Sequence, residues 1–198
     1  LRKALEQLGN KNIMNIFAFD SKSSEDGMSE RTVDELINAA FTMSKPKTGA
    51  LIVIERNENL AYIEKTGILI NGIVSSQLLI NIFEHNTPLH DGAVLIRGNT
   101  IVSATCYLPL SENMRISKDL GTRHRAAIGI SEVSDSVTIV VSEETGRVSV
   151  AIGGNLIKVN DGEELKKELS VLLEDGKEDK KVSLLSKLLK GRGNDKDK

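Results

Sequence analysis

A chain of 198 residues, 39% of them hydrophobic, is long enough for one domain with a buried core and tails. The net charge of −2 excludes a protein that binds nucleic acid through bulk positive charge. The single cysteine, Cys106, excludes an intramolecular disulfide framework and suits a reducing cytoplasm.

Leu1 to Leu8 has apolar residues at 1, 4, 5 and 8, one face of a helix. No run reaches the ~18 apolar residues of a membrane span. The chain opens on Leu1 rather than Met, so we expect a segment upstream. Residues 20–29 are polar and breaker-rich and predict a loop ending in a Ser29 N-cap. The helix behind it carries Val33, Leu36, Ile37, Ala40 and Phe41 on one face and stops before Lys45-Pro46. Ala50 to Ile54 predicts a buried strand, Leu60 to Ile63 a short partner strand, and Ser75 to Phe83 a second helix.

Beyond residue 84 the pattern favours strands. Ala93 to Ile96 and Thr100 to Tyr107 are joined by Arg97-Gly98-Asn99, a hairpin turn. Cys106 sits in that second strand and reads as a buried thiol. A helix to about Ile130 follows a charged loop. Val137 to Val141 and Arg147 to Ile152 form another hairpin, and Leu156 to Val159 extends the sheet. Strand pairs this close leave no room for helical crossovers. The expected fold is therefore α/β (α+β), with a mixed, largely antiparallel sheet flanked by helices. Glu163 to Leu173 is helical in pattern. Lys177 to Lys198 carries eight Lys/Arg against four Asp/Glu around V-S-L-L-S-K-L-L-K. That tail reads either as a solvated amphipathic helix or as a basic segment for a membrane surface or a partner.

Two stretches carry chemistry. In N-T-P-L-H-D-G-A-V-L-I (Asn86 to Ile96), Asp91 precedes a strand and would be presented at the sheet edge, and Gly92 permits close approach. His90 and Asp91 together could bind a divalent cation or move a proton; D-G is also a common plain turn. In G-T-R-H-R-A-A-I-G (Gly121 to Gly129), a hydroxyl and fixed positive charge stand just ahead of a helix N-terminus, where phosphate is favoured. Ser142, Glu143 and Glu144, at a later strand end, add a hydroxyl for phosphate and carboxylates for a metal or a ligand amine. Anion site, cation site and acid together describe phosphoryl or nucleotidyl transfer. No Walker or G-x-G-x-x-G loop is present.

L-H-D-G-A-V-L-I at 89–96 and G-T-R-H-R-A-A-I-G at 121–129 resemble the DGA and RHR motifs of the diadenylate cyclase (DAC) domain family. The resemblance runs from about Met14 to Val159 and is nearest to the membrane-associated CdaA/DacA type of Gram-positive bacteria. It implies condensation of two ATP into cyclic di-AMP and two pyrophosphates, with Mn²⁺, Mg²⁺ or Co²⁺, in a site built between two facing subunits of a homodimer. It implies that Asp91 activates the ribose 3′-hydroxyl, with His90 and Asp91 near the metal. Gly92 and Ala93 would lie against the nucleotide. Gly121, Thr122, Arg123, His124 and Arg125 would hold the phosphates, helped by Ser142, with Arg123 and His124 acting in catalysis. Tyr107 and Leu108 would line the adenine pocket, and Glu143 and Glu144 would be further acidic contacts. Residues 1–13 would then link upstream membrane helices to a catalytic domain over 14–160, with 161–198 a C-terminal helix and charged tail. The domain would sit at the cytoplasmic face of the membrane, with a membrane-bound regulator and phosphoglucosamine mutase as partners and no nucleic acid. The rival readings are a nucleotide-binding regulatory module of the same fold without turnover, and a scaffold whose motifs are incidental turns. A purely binding descendant would have no need of Asp91.

Overall fold

A computed structural model describes residues 27–113, 117, 120–170, 172 and 173. The expected helix at Leu1 to Leu8 and the basic tail from Lys177 lie outside the described residues. The elements are α1 (Glu30–Ser44), β1 (Ala50–Glu55), α2 (Ala61–Glu64), β2 (Ile68–Ile73), α3 (Ser76–Phe83), β3 (Ala93–Arg97), β4 (Thr100–Cys106), α4 (Thr122–Val133), β5 (Val137–Val141), β6 (Val148–Ile152) and β7 (Asn155–Val159). A last helix, α5, covers residues 162–170.

The strands form one seven-stranded sheet in the order β2-β4-β3-β1-β5-β6-β7. Only β1 and β3 pair in parallel, through Ile52↔Val94 and its neighbours; the other adjacent pairs are antiparallel. The mixed, largely antiparallel sheet expected from the hairpin spacings is thus the observed one.

β1 lies at the centre, and its period-2 alternation feeds two cores. Ile52 and Ile54 join Leu36 and Met43 of α1, Leu79 and Phe83 of α3, and Leu165 and Leu169 of α5 on one face. Leu51 and Val53 join Ala126, Ala127 and Ile130 of α4 on the other. A strand buried on both faces has to be apolar throughout, so Ala50 to Ile54 reads as a continuous run. Burial of each Leu- or Ile-sized side chain there contributes about 1.5–3 kcal/mol.

Ser29 caps α1 by accepting from the Thr32 amide at 3.2 Å, and Ser75 caps α3 through the Leu78 amide at 3.3 Å. Both serines sit where the sequence places helix starts. The segment Leu60 to Ile63 is a correction: Leu60 is the N-cap of α2 and Ala61 to Ile63 are helical within it, so the segment is not a strand. Its register is set by polar caps rather than by apolar alternation. The Leu60 amide donates to Glu55 Oε2 at 2.9 Å and the Ala61 amide to Asn59 Oδ1 at 2.8 Å. The strand that follows is β2, which pairs with β4 and not with β1, and whose Ile68, Leu69 and Ile73 are exposed at the sheet edge. Among the described residues no helix is long and apolar enough to cross a membrane.

Candidate nucleotide site

The site lies where β3 and α4 begin and β1, β4 and β5 present their neighbouring ends. Asp91 stands in the bend that enters β3. Gly92 has φ +94°, and a Cβ on it would come within 2.9 Å of the Thr105 carbonyl carbon. Backbone here passes against backbone, which only glycine permits. On β4 an extra residue enters between the pairs Ala93↔Cys106 and Leu95↔Ser103. Thr105 in this bulge takes φ 59°, a left-handed conformation costly for a β-branched residue, and its buried Oγ1 has no hydrogen-bond partner. Just beyond the bulge, Tyr107 and Leu108 line one cavity with Asp91. The Tyr107 amide is held by Thr66 Oγ1 at 3.0 Å.

α4 starts at Gly121, which offers no capping side chain, so the positive end of the helix is open. Its small residues let another segment pack closely: a Cβ on Gly129 would drive into the Pro109 carbonyl oxygen, and the Ser111 amide donates to the Arg125 carbonyl at 3.0 Å. Packing therefore fixes the helix, and with it the motif at its first turn.

Two cavities adjoin along this edge. The first, about 460 Å³, is lined by Leu51, Tyr107, Leu108 and Leu110 together with Asp91, Thr122 and Arg123. The second, about 440 Å³, is lined by Gly121, His124, Ser142 and Glu144, and shares Thr122, Arg123 and Glu143 with the first. Arg123 forms an ion pair with Glu143 across the shared wall, while its Nε is buried without a partner. The Arg123 guanidinium in the shared wall and the open helix end beside it together suit an anion.

Of the residues singled out in sequence, Asp91, Gly92, Tyr107, Leu108, Thr122 and Arg123 meet in the first cavity. Gly121, His124, Ser142 and Glu144 meet in the second, and Glu143 borders both. His90, Ala93 and Arg125 line neither. His90 Nδ1 lies 2.5 Å from the Thr87 carbonyl oxygen and its ring stands 5.6 Å from that of His85. Ala93 is buried in the second core cluster. Cys106, expected as a buried thiol, is buried; loss of solvation pushes its pKa up, which keeps it a thiol.

The family model for DisA bacterial checkpoint controller nucleotide-binding (DAC) domains matches residues 37–156. The chain belongs to the DAC family. Among DAC relatives it is 52% identical over 169 residues to the cyclic di-AMP synthase CdaA of Bacillus subtilis, covering 85% of this chain and 60% of that protein. It is 50% identical, with the same coverage, to a diadenylate cyclase of Listeria monocytogenes. The chain thus spans about 60% of the length of these curated relatives. The crystal structure of a DacA double mutant from Staphylococcus aureus superposes with a TM-score of 0.70 at 46% identity, covering 72% of this chain and 95% of that one. A Bacillus cereus protein described as a hypothetical membrane spanning protein gives a TM-score of 0.65 at 40% identity, over 81% of this chain and 78% of that one.

Within the DAC fold, sequence reasoning passed over Gly49. A Cβ there would lie 3.0 Å from Arg123 Cζ and Nη1 and from Glu143 Cβ, so Gly49 makes room for the ion pair. A glycine directly before the β1 run was the available signal. Leu51 and Leu110 were also passed over as parts of the first cavity wall.

His124 is only 8% exposed. Burial pushes its pKa below the ordinary 6.5, opposed in part by the nearby Glu144 carboxylate. As pH falls through about 6.5 the unfolded chain takes up a proton that the folded chain resists, so stability drops from there downward until the folded pKa is reached. Urea unfolding between pH 7.5 and 5.5 should show this decline. His124→Asn should flatten it; an unchanged slope would mean that His124 is not held neutral.

Proposed function

We propose that this chain is the catalytic domain of a diadenylate cyclase, condensing two ATP into cyclic di-AMP with release of two pyrophosphates. The observation that carries the reading is that Asp91 and Arg123 line one cavity, with apolar Leu51, Tyr107 and Leu108 beside them. The apolar wall suits an adenine ring, and the Thr122-Arg123 end with the open α4 terminus suits the α-phosphate. The names of the relatives support the same activity.

In the reaction, the Asp91 carboxylate takes the proton of a ribose 3′-hydroxyl. The oxygen attacks the α-phosphorus of the other ATP, the α–β phosphoanhydride bond breaks, and pyrophosphate leaves with the electron pair. Arg123 and the first amides of α4 stabilise the charge that develops on the phosphoryl oxygens.

Among the described residues no group of three or more His, Cys, Asp or Glu side chains is placed to hold a metal ion. The donor set fits a hard divalent cation bound by one carboxylate, Asp91, with the rest of its shell from substrate phosphates and water. Such an ion would neutralise phosphate charge. Mn²⁺, Mg²⁺ and Co²⁺ all accept these ligands.

A cyclic product needs two acids and two phosphate clamps, and one chain offers one of each. The active species is accordingly a dimer with the cavities facing. Tyr107 and Leu110, 73% and 53% exposed at the cavity rim, are the apolar surfaces such a partner would cover. Specific activity should therefore rise with enzyme concentration while sedimentation shows mostly monomer. Constant specific activity across a dilution series of demonstrated monomers would contradict the facing arrangement.

A further inference from the structure

The second cavity, which Asp91 does not line, takes in Val141 of β5, Ser149 of β6 and Leu156 and Lys158 of β7. Its floor follows from register. Val140 pairs with Ser149 and Ser149 with Lys158, so these positions form a row on the α4 side of the sheet. One step nearer the strand ends, the Ser142 amide donates to the Arg147 carbonyl at 3.0 Å, placing Ser142 beside Arg147. Arg147, Ser149 and Lys158 all line the cavity with His124. Neither Arg147 nor Lys158 forms an ion pair among the described residues. His124 is more than nine-tenths buried at the cavity wall, and its ring has no hydrogen-bond partner among the described residues.

Free cations converging with an unpartnered buried imidazole call for an anion. The acids present do not meet that need: Glu143 is engaged by Arg123, and a single Glu144 remains against two free cations. The cavity is also joined to the first through Thr122 and Arg123, the position of the α-phosphate in the reading above.

We infer that Arg147 and Lys158 bind the β- and γ-phosphates of ATP, and the pyrophosphate that leaves, and so select a triphosphate over a monophosphate. This rests on the cyclase reading and deepens it. The selectivity is electrostatic: each phosphate beyond the first adds charge that only these strand-end cations meet, while the nucleoside and α-phosphate contacts are common to AMP and ATP.

The test is calorimetric titration of AMP and of α,β-methylene-ATP, which cannot release pyrophosphate, into the wild-type chain, Arg147→Gln and Lys158→Gln. Both side chains are exposed, and AMP binding reports on the fold within each variant. In each variant the affinity for the triphosphate analogue should fall about tenfold with AMP affinity unchanged, as expected for one lost charge-assisted contact. Pyrophosphate should compete with the analogue in the wild type and about tenfold less well in either variant. Parallel losses for AMP and the analogue, or no loss for either, would overturn the assignment. If the wild type binds both ligands and the variants match it, only this inference falls. If the wild type binds neither, the cyclase reading falls too.

Discussion

Replacing Asp91 with Asn should lower formation of cyclic product by about 10²- to 10⁴-fold, the usual contribution of a positioned general base. ATP binding should stay within about twofold, because the amide keeps the size of the carboxylate while losing the ability to take the 3′-hydroxyl proton. The backbone that presents the side chain should be unaffected. It is fixed by Gly92 at φ +94° against the Thr105 bulge, and Asn tolerates a bend as well as Asp does. Product measured by chromatography under saturating ATP, with binding measured in parallel, separates the two effects. A variant that cyclises at near the wild-type rate would remove Asp91 from the chemistry.

Arg123→Ala should act on binding first. Arg123 stands in the wall shared by both cavities, where the proposed reaction gives it a charge-assisted contact with phosphate. Hydrogen bonds to charged groups are worth about 1.5–3 kcal/mol, so ATP affinity should fall by about 10- to 100-fold. Removal also leaves Glu143 without its cation, a carboxylate facing the phosphates, which adds to the loss. Arg123→Lys should restore only part of it, since an ammonium cannot reproduce the planar fork. Unchanged ATP affinity in Arg123→Ala would move the phosphate site elsewhere.

Much of this was legible because the sequence patterns have simple physical periods. The β1 run, the serine caps of α1 and α3 and the hairpin at Arg97-Gly98-Asn99 each announce themselves within a few residues. α2 did not, because its helical form depends on Glu55 and Asn59 side chains reaching the Leu60 and Ala61 amides. β2 was missed because it is an edge strand with Asn71 at φ 55° and a register shift, which breaks the alternation. In the site, the two motifs were visible as charge and glycine patterns, but their meeting depends on the sheet order, which sets β3 beside β1 and β1 beside β5. Gly49, Arg147 and Lys158 carry no local signature. Their roles arise from what stands opposite them, and that is a property of the fold rather than of the stretch that contains them. His90 and Arg125 illustrate the converse: both belong to a motif, yet neither lines the two cavities.

Incubating the chain at high concentration with ATP and Mn²⁺, and identifying the products by mass spectrometry, asks whether the proposed reaction occurs. Cyclic di-AMP with two pyrophosphates for each cyclic molecule is the predicted result. Unconsumed ATP, or only ADP and AMP, from a folded chain that binds nucleotide would contradict it.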